Sequence, residues 1–594
     1  MAGARLTFLA LAWLQKNLVE VPVIVIGVKN RMGNRISFSR EMSGHASCNS
    51  KKAITRYRPT DAIKLAAVLV TASLCVAQPV SAQSVTDVER LTQGLSERVE
   101  FDVTRYQIIG GNPLSASKTK SILSPYIGSN RGIDDIENAA GALETEMSDK
   151  GLSFYRVSFP PQELTDGVVD LLITQYRIGN VNVKGNSYYS ERNIQSSLPL
   201  LRKGESPSTR GIARALRVAN QNSAKRVRVT LAPGEGANEI DANIVVKDQQ
   251  PLVLTSWLNN TGTDASGDYR VGASIAHRNI LGLDHNGSLT FITSSEGVND
   301  VQQIAASYRI PLYSLGGSLN FVAVNSNIDT GVVAGVFDVA GKGEVYGIGY
   351  SHVLSSIGSY NHGLQLQAQD KLFDNDVQFL GRQVLEDVRS RPLSATYQAS
   401  WGNGKGFQWS GMMSLTSNLS GGSFNNARSY AVSRSGASDD WSKINLGANY
   451  QYKLKEWLYT ASLNIAFSSD RLITGEQFAV GGVSSIRGLD ERELRGDEGY
   501  QLNLQAWAPP VYKTLRPVAF IDLGHVSNNE PIEGEFRSED VISIGVLLNW
   551  NPTNKISASA SYGYLIDGID SDNAVEGSPE DGDGKLHFNL TYRF

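Results

Sequence analysis

Two short segments near the end of this 594-residue chain hold the side chains whose types and spacing could do chemistry. Residues 481–500 read GGVSSIRGLDERELRGDEGY, with eight charged side chains in twenty positions, and residues 517–526 read PVAFIDLGHV around one acid, Asp522. An arginine stays charged and can bind a carboxylate through two parallel hydrogen bonds. The two segments therefore predict electrostatic fastening of a loop, with an ordinary exposed loop as the alternative.

Patterns that would indicate an enzyme or a metal site are weak in the rest of the chain. The glycine-rich GNGKG at 402–406 resembles a phosphate-binding loop only in its glycines and is interpreted as a turn. The acidic segment 567–584 could hold calcium, but it lacks EF-hand spacing, so a solvated loop is favoured. The seven histidines are scattered and form no zinc pattern. We predict no catalytic residue, no metal and no cofactor.

The second half of the chain has the alternation that a membrane β-barrel needs. From residue 251 to 594, segments of 8–12 residues alternate in polarity and are separated by clusters of Gly, Asn, Asp and Ser. At about 20 residues per strand and connection, this length predicts a transmembrane antiparallel barrel of about 16 strands. A soluble β-sandwich or β-solenoid would also alternate, but strands so apolar on one face would aggregate in water.

The last strand shows this alternation most clearly. In LHFNLTYRF, one face carries only apolar side chains, which are Leu586, Phe588, Leu590, Tyr592 and Phe594. The other face carries His, Asn, Thr and Arg. An apolar face that ends in a carboxy-terminal phenylalanine predicts the strand that closes a barrel.

The same alternation predicts that Asp522 points into the barrel. Asp522 shares one strand face with Phe520 and Gly524, whereas the aliphatic residues between them share the other face and suit lipid. An inward carboxylate in a narrow lumen needs a partner, because an unpaired buried charge is costly. Arg487 is the partner that we predict, and Gly488 beside it would allow close approach of the backbone. Solvation of Asp522 by water is the alternative.

Two similar segments precede the barrel. Residues 101–175 and 176–250 each have the order strand, helix, helix, strand, strand. Repetition at this period indicates stacked small α+β domains, each with two helices on a three-stranded sheet. The edge of such a sheet can accept an extended peptide as an added strand. Inert spacer domains are the alternative.

The start of the chain has the features of an export signal. In residues 1–82, a basic flank leads to an apolar stretch at 65–77 and to small residues at 80–82, where cleavage is expected. An internal apolar helix is the alternative, and residues 1–41 are interpreted as an overextended start of the reading frame. Residues 83–100 form a short lead, in which we predict no plug helix.

Removal of residues 1–82 would change the composition of the chain. This segment holds both cysteines, Cys48 and Cys75, and 11 basic against 3 acidic residues. The remainder has 44 basic and 56 acidic residues, a formal charge of −12. Such a chain needs no disulfide bond for folding and is a poor ligand for nucleic acid.

The two repeats, the barrel, the Arg487-Gly488 pair, the strand of Asp522 and the terminal phenylalanine follow one another along the chain. In this order they resemble the outer-membrane transporters of two-partner secretion, the haemolysin secretion and activation family of the Omp85 superfamily. The resemblance covers about residues 95–594. It implies two periplasmic POTRA-like domains followed by a barrel in the bacterial outer membrane. It also implies that the loop carrying Arg487 folds into the lumen and meets Asp522. With Gly488, these residues form what is here called the lumenal lock.

The resemblance extends to the neighbours of the lock. Ile486, Leu489, Phe520 and Gly524 occupy positions of the family's motifs. Leu489 departs from the pattern, since the family usually has an aromatic residue after the Arg-Gly pair. Aromatic packing at the loop tip is therefore not expected.

The function that the resemblance implies is translocation of an unfolded exoprotein of the haemolysin or adhesin type across the outer membrane. The expected partners are this exoprotein, outer-membrane lipids and the barrel assembly machinery, which would act through the C-terminal strand. A factor that assembles other barrels is the alternative, although such factors typically carry more than two POTRA repeats. A passive porin would leave both repeats unexplained.

Overall fold

The structure is a computed structural model that describes residues 100–594 with short gaps. The gaps are 164–165, 263–266, 298–300, 328–330, 334–336, 340–341, 375–377, 380–381, 384–386 and 570–577. The predicted signal at 1–82, the doubtful start at 1–41 and the lead up to residue 99 lie outside the described residues. The middle of the acidic segment 567–584 does so as well.

The first small domain contains one more strand pair than the sequence predicts. Its elements are β1 Phe101–Val103, β2 Arg105–Gly110, α1 Ala116–Leu123, a 3-10 turn Ser124–Tyr126, β3 Gly128–Arg131, α2 Ile133–Asp149, β4 Tyr155–Ser158 and β5 Val168–Gln175. The main sheet has the order β2-β5-β4 and is covered by α2, whose buried face includes Ile136, Leu143 and Met147. The additional pair is β1 with β3. Because β3 reads GSNR, no apolar alternation marks it.

The second small domain has the predicted element order. It consists of β6 Arg177–Lys184, α3 Glu191–Ser196, α4 Thr209–Ala219, β7 Lys225–Pro233 and β8 Glu239–Asp248, with sheet order β6-β8-β7. At the end of α4, the Asn220 side chain bonds both backbone groups of Val227, which turns the chain toward β7.

The remaining chain forms a closed antiparallel barrel of sixteen strands, as predicted. They are β9 Leu252–Asn259, β10 Arg270–Ile280, β11 His285–Ser294, β12 Gln302–Leu312, β13 Gly317–Ser326, β16 Gly343–Val353, β17 Asn361–Phe373, β20 Val388–Ser390 with β21 Pro392–Gly402, β22 Phe407–Asn418, β23 Ser442–Leu454, β24 Trp457–Phe467, β27 Glu498–Trp507, β28 Leu515–Ser527, β29 Ser538–Trp550, β30 Ile556–Asp567 and β31 Gly584–Arg593. Because β20 and β21 both pair with β17, they are one strand interrupted at Arg391.

The connections carry smaller elements. They are the strand pairs β14 Gly331–Val333 with β15 Phe337–Val339, β18 Gln378–Phe379 with β19 Arg382–Gln383, and β25 Phe478–Val480 with β26 Leu494–Gly496, the helix α5 Ala427–Ser433, and the 3-10 turns Tyr313–Leu315 and Thr474–Glu476. Among the described residues, no helix is long and apolar enough to cross a bilayer.

The barrel has two distinct ends. The near end adjoins the second small domain, from which β9 begins, and the far end carries the longer connections. Exposed aromatic side chains lie on the outside toward the near end, and they include Tyr450, Tyr452, Trp457, Trp550 and Tyr592. Aromatic residues on the outside near the end of a barrel are typical of the boundary between lipid and water.

The barrel closes where β31 meets β9. The closing strand exposes Leu586, Leu590, Tyr592 and Phe594 on the outside. It forms nine residue pairs with β30 but only five with β9. Beyond these five pairs, the Asn260 side chain replaces a backbone partner for β31. It donates to the Leu586 carbonyl at 2.6 Å and accepts from the Phe588 N–H at 2.8 Å.

A buried ion pair joins the second small domain to the barrel. Lys225, at the start of β7, pairs with Asp284 in the turn between β10 and β11, and their side chains are 0% and 1% exposed. Asn222 donates to the same carboxylate at 3.2 Å, and Tyr313 also donates to it. The Lys225 ammonium additionally donates to Asn193 at 3.2 Å. This junction fixes the small domain on the near rim of the barrel.

Replacing Lys225 with methionine should leave Asp284 buried without its counter-charge. We expect the free energy of unfolding in detergent to fall by about 3–5 kcal/mol, because an unpaired buried charge is strongly destabilising. Adding Asp284→Asn to Lys225→Met should recover most of the loss, and Lys203→Met, at an exposed site, serves as control. Equal thermal unfolding curves for wild type and Lys225→Met would contradict the role of the pair.

Candidate functional site: an inward loop and its ion pair

The connection between β24 and β27, residues 468–497, starts at the far end and folds back into the barrel. It contacts the inward faces of four consecutive strands, β27 to β30. Ser485 donates to Gln501 of β27 at 2.6 Å, and the Arg487 backbone N–H donates to Asp522 of β28 at 3.1 Å. We call residues 468–497 the inward loop.

Arg487 and Asp522 form a bidentate ion pair inside the barrel. Arg487 Nε donates to one carboxylate oxygen at 2.7 Å, and Nη2 donates to the other at 2.6 Å. Asn503 of β27 adds a further donor at 2.9 Å and also bonds the Ser485 carbonyl at 2.5 Å. The arginine is 3% exposed and the aspartate 0%. Each charge is thus satisfied by the other, with the additional hydrogen bonds that a buried pair requires.

The Phe520 ring packs against the guanidinium of Arg487. The Arg487 guanidinium carbon lies 3.4 Å from the centre of the Phe520 ring, which is a cation–π contact. The ring itself lies against Gly545 of β29, where a Cβ atom would stand 2.4 Å from Phe520 Cζ. Because Gly545 has no side chain, the ring can lie along the barrel wall.

The backbone of the loop tip also lies directly on the wall. Ser543 of β29 donates its hydroxyl to the Arg487 carbonyl. A Cβ atom on Gly563 of β30 would stand 2.2 Å from that carbonyl oxygen. Gly488 has a φ of +124°, a conformation that side chains other than glycine rarely adopt. The tip therefore requires glycine on both sides of the contact.

Aliphatic side chains surround the ion pair. Ile486 and Leu489 are completely buried with Val526, Val541 and Leu565 of the wall. Gly524 leaves room for Ile486, since a Cβ there would lie 2.9 Å from Ile486 Cγ1. Leu489 stands where the family usually has an aromatic residue, and Phe478 and Phe536 are partly buried against the same cluster. Exclusion of water strengthens the ion pair within it.

The first arm of the inward loop is attached to a different part of the wall. The Glu476 carboxylate forms ion pairs with Lys371 of β17 at 3.0 Å and with Lys443 of β23 at 2.9 Å. Burial acts to raise the pKa of Glu476, but the two ammonium groups outweigh it and lower the pKa to about 2. The loop is therefore held to the wall by two separate sets of ion pairs, one at Glu476 and one at Arg487.

The structure brings together every residue predicted for the lock and its neighbours, and it adds others. The sequence did not single out Asn503, Ser543, Gly545, Gly563 or Glu476. A signal for three of them exists, since small residues occupy the inward positions of SIGV in β29 and SYGY in β30. The predicted closing-strand residues lie apart from this site, on the outer face of β31. Only the inward side of β31 reaches the loop, through an ion pair of Lys585 with Asp490.

Comparison with known proteins identifies the family and the fold of the chain. The model of the haemolysin secretion/activation protein family ShlB/FhaC/HecB matches residues 238–546, more than half of the chain. The chain belongs to this family. A ShlB-type POTRA domain model matches residues 101–175. The predicted fold class, two POTRA-like domains followed by a barrel, is confirmed.

Individual relatives are distant but cover most of the chain. The outer membrane transporter CdiB of Dickeya dadantii is 23% identical over 439 residues, which are 69% of this chain and 73% of the relative. The heme/hemopexin transporter protein HuxB of Haemophilus influenzae strain 86-028NP is 20% identical over 501 residues, 80% of this chain and 86% of the relative.

Solved structures support the fold. CdiB from Escherichia coli gives a TM-score of 0.67 at 18% identity, covering 91% of this chain and all of that one. CdiB from Acinetobacter baumannii gives 0.63 at 16% identity, covering 90% and 98%. Membership of the ShlB/FhaC/HecB family places the barrel in the outer membrane and the POTRA domains in the periplasm, so the far end is extracellular.

Gly563→Ala should displace the loop tip without removing any charge. The new methyl group would clash with the Arg487 carbonyl, so we expect the inward loop to become accessible from outside. Cleavage at its arginines by trypsin added to intact cells measures this exposure. Gly349→Ala in β16, where the nearest atom would lie 3.2 Å away, is the control. Equal resistance of Gly563→Ala and wild type to trypsin would contradict the close contact.

Proposed function

We propose that this protein translocates an unfolded secreted partner across the outer membrane by two-partner secretion. The partner would dock on the POTRA domains and then enter the lumen when the inward loop moves aside. The single observation that carries this proposal is a barrel whose lumen holds its own loop through a compact set of polar contacts. A path for a polypeptide then exists once those contacts break.

The chemistry of the lock suits a movable stopper. Arg487 and Asp522 are held by hydrogen bonds and by one another, with no covalent link. Each charge can be hydrated once the loop leaves the wall, which lowers the cost of separation relative to separation in a dry site. The lock would therefore be stable at rest and reversible during transport.

The POTRA domains offer sheet edges for docking. In the described residues, β6 and β7 each pair only with β8, so both outer edges of the second sheet remain open. The nine residues of β7 could hydrogen-bond to an extended segment of a partner. Strand addition recognises the backbone of an unfolded chain and requires little sequence specificity.

Transport would run on binding and folding energy. The described residues show no phosphate-binding loop, and no nucleotide supply is expected in the periplasm. A partner that folds outside the cell cannot return through the lumen, so its folding would make export one-way. A large β-helical exoprotein of the haemolysin or adhesin type fits this scheme. Insertion of the transporter itself would use the barrel assembly machinery, which we propose binds the closing strand β31.

Depletion of this protein should abolish export of one exoprotein while the other outer-membrane proteins stay at normal levels. Quantitative analysis of the culture medium and of outer membranes after depletion measures both. This pattern is expected because a dedicated transporter serves one partner. Broad loss of outer-membrane barrels would instead favour an assembly factor, and unchanged medium would contradict secretion.

Reversing the charge of the lock by Arg487→Asp should abolish export. Two carboxylates would then face each other in the lumen, and the loop could not return to its closed position. We expect a folded, inserted barrel, shown by heat-modifiable mobility on gels, together with absence of the partner from the medium. Arg537→Asp, in the exposed loop between β28 and β29, is the control. Normal export by Arg487→Asp would contradict the lock.

A further inference from the structure

A second cluster of buried charges lies above the lumenal lock, at the extracellular end of the barrel. It joins three connections: residues 419–441 between β22 and β23, the base of the inward loop, and residues 528–537 between β28 and β29. Its charged members are Arg434, Arg471, Asp497 and Glu535. Neither the lock nor the POTRA domains use them.

Arg434 follows α5 and is bonded through all three guanidinium nitrogens. Nη1 donates to Asp497 at 2.5 Å and to the Leu472 carbonyl at 2.6 Å. Nε donates to Glu535 at 2.9 Å, and Nη2 donates to Asn528 at 3.0 Å. Arg434 of the 419–441 connection thus contacts both other connections. Its side chain is only 8% exposed.

Asp497 ties the two arms of the inward loop together. It is the last residue before β27 and is fully buried. One carboxylate oxygen accepts from the Leu472 N–H at 2.9 Å and from Gln477 at 3.2 Å, both on the first arm. The other oxygen accepts from the Asn529 N–H at 2.9 Å. These bonds hold the arms against each other at the point where a moving loop would have to bend.

Glu535 closes the cluster from the outside. It accepts from Arg434 on one oxygen and from Arg471 on the other, the latter at 2.7 Å. Arg471 belongs to the first arm of the inward loop and is 6% exposed as a side chain. Two arginines from different connections therefore share one carboxylate, which links the three connections into one unit.

Apolar packing holds the 419–441 connection over the same region. Tyr430 and Trp441 are completely buried. They form one cluster with Leu472 and Ile473 of the inward loop and with Phe373 at the end of β17. The connection is thus folded inward over the extracellular mouth and packed on the inward loop.

We propose that Arg434, Arg471, Asp497 and Glu535 form an outer latch, which holds the base of the inward loop and the 419–441 connection closed over the exit. The lumenal lock fastens the tip of the loop, and the latch fastens its hinge. Opening a path for a polypeptide requires both to release. Arg434 is then a positioning residue for transport, and this inference rests on the proposed function.

Ion conductance through the purified protein in planar lipid bilayers tests the latch without any partner. Arg434→Met removes the shared cation, and Glu535→Gln weakens the same cluster from a more exposed position. For each variant we expect the ratio of open to closed time to rise about tenfold or more, since removing one member of a buried charged set is strongly destabilising. Arg537→Met, at an exposed site of the 528–537 connection, is the control and should conduct like wild type.

The outcomes separate the latch from the proposed function. Conductance of Arg434→Met and Glu535→Gln equal to wild type overturns the latch, and so does an equal rise in Arg537→Met. If Arg434→Met does not insert as a heat-modifiable barrel, the comparison of Glu535→Gln with Arg537→Met decides. Increased conductance of the purified variants, together with normal secretion by cells depleted of this protein, would support the latch and refute the proposed secretion. Unchanged conductance of the variants, together with loss of secretion on depletion, would refute the latch and support the proposed secretion.

Discussion

The cost of an isolated charge in the barrel interior is the constraint on which the rest of the structure depends. Asp522 is fully buried on an inward strand position, so its carboxylate must be neutralised there. The neutralising cation comes from a loop that starts at the extracellular rim of the barrel. The loop must therefore descend into the lumen, and the wall around Asp522 must be shaped to receive its backbone as well as its side chain.

Glycine and serine shape that wall. The inward positions of β29 and β30 carry small residues where the Phe520 ring and the Arg487 carbonyl rest. The outward positions of the same strands carry large apolar residues such as Val546 and Tyr562 for lipid. The alternation of small and large residues along β29 and β30 thus forms an inner surface for the loop and an outer surface for lipid. Rigid fit and charge pairing together explain why the tip is fully enclosed.

The sequence predicts more of this protein than its modest identity to known relatives suggests. Alternation gave sixteen strands and the inward direction of Asp522, because side chains on a strand alternate regardless of the partner strand. It could not reveal the pair β1–β3, since β3 is polar. Nor could it pair Glu476 with Lys371 and Lys443, or Arg434 with Asp497. Those contacts join strands and connections that are separated in sequence, and only the closed barrel brings them together.

The inward loop is attached to the barrel at both ends, through β24 and β27. If this loop is the stopper that we propose, it cannot diffuse away while a substrate occupies the pore. Its return is an intramolecular event, so the rate of resealing is independent of how many transporters the membrane contains. The permeability barrier of the cell would then be restored after each passage by the same molecule that opened it.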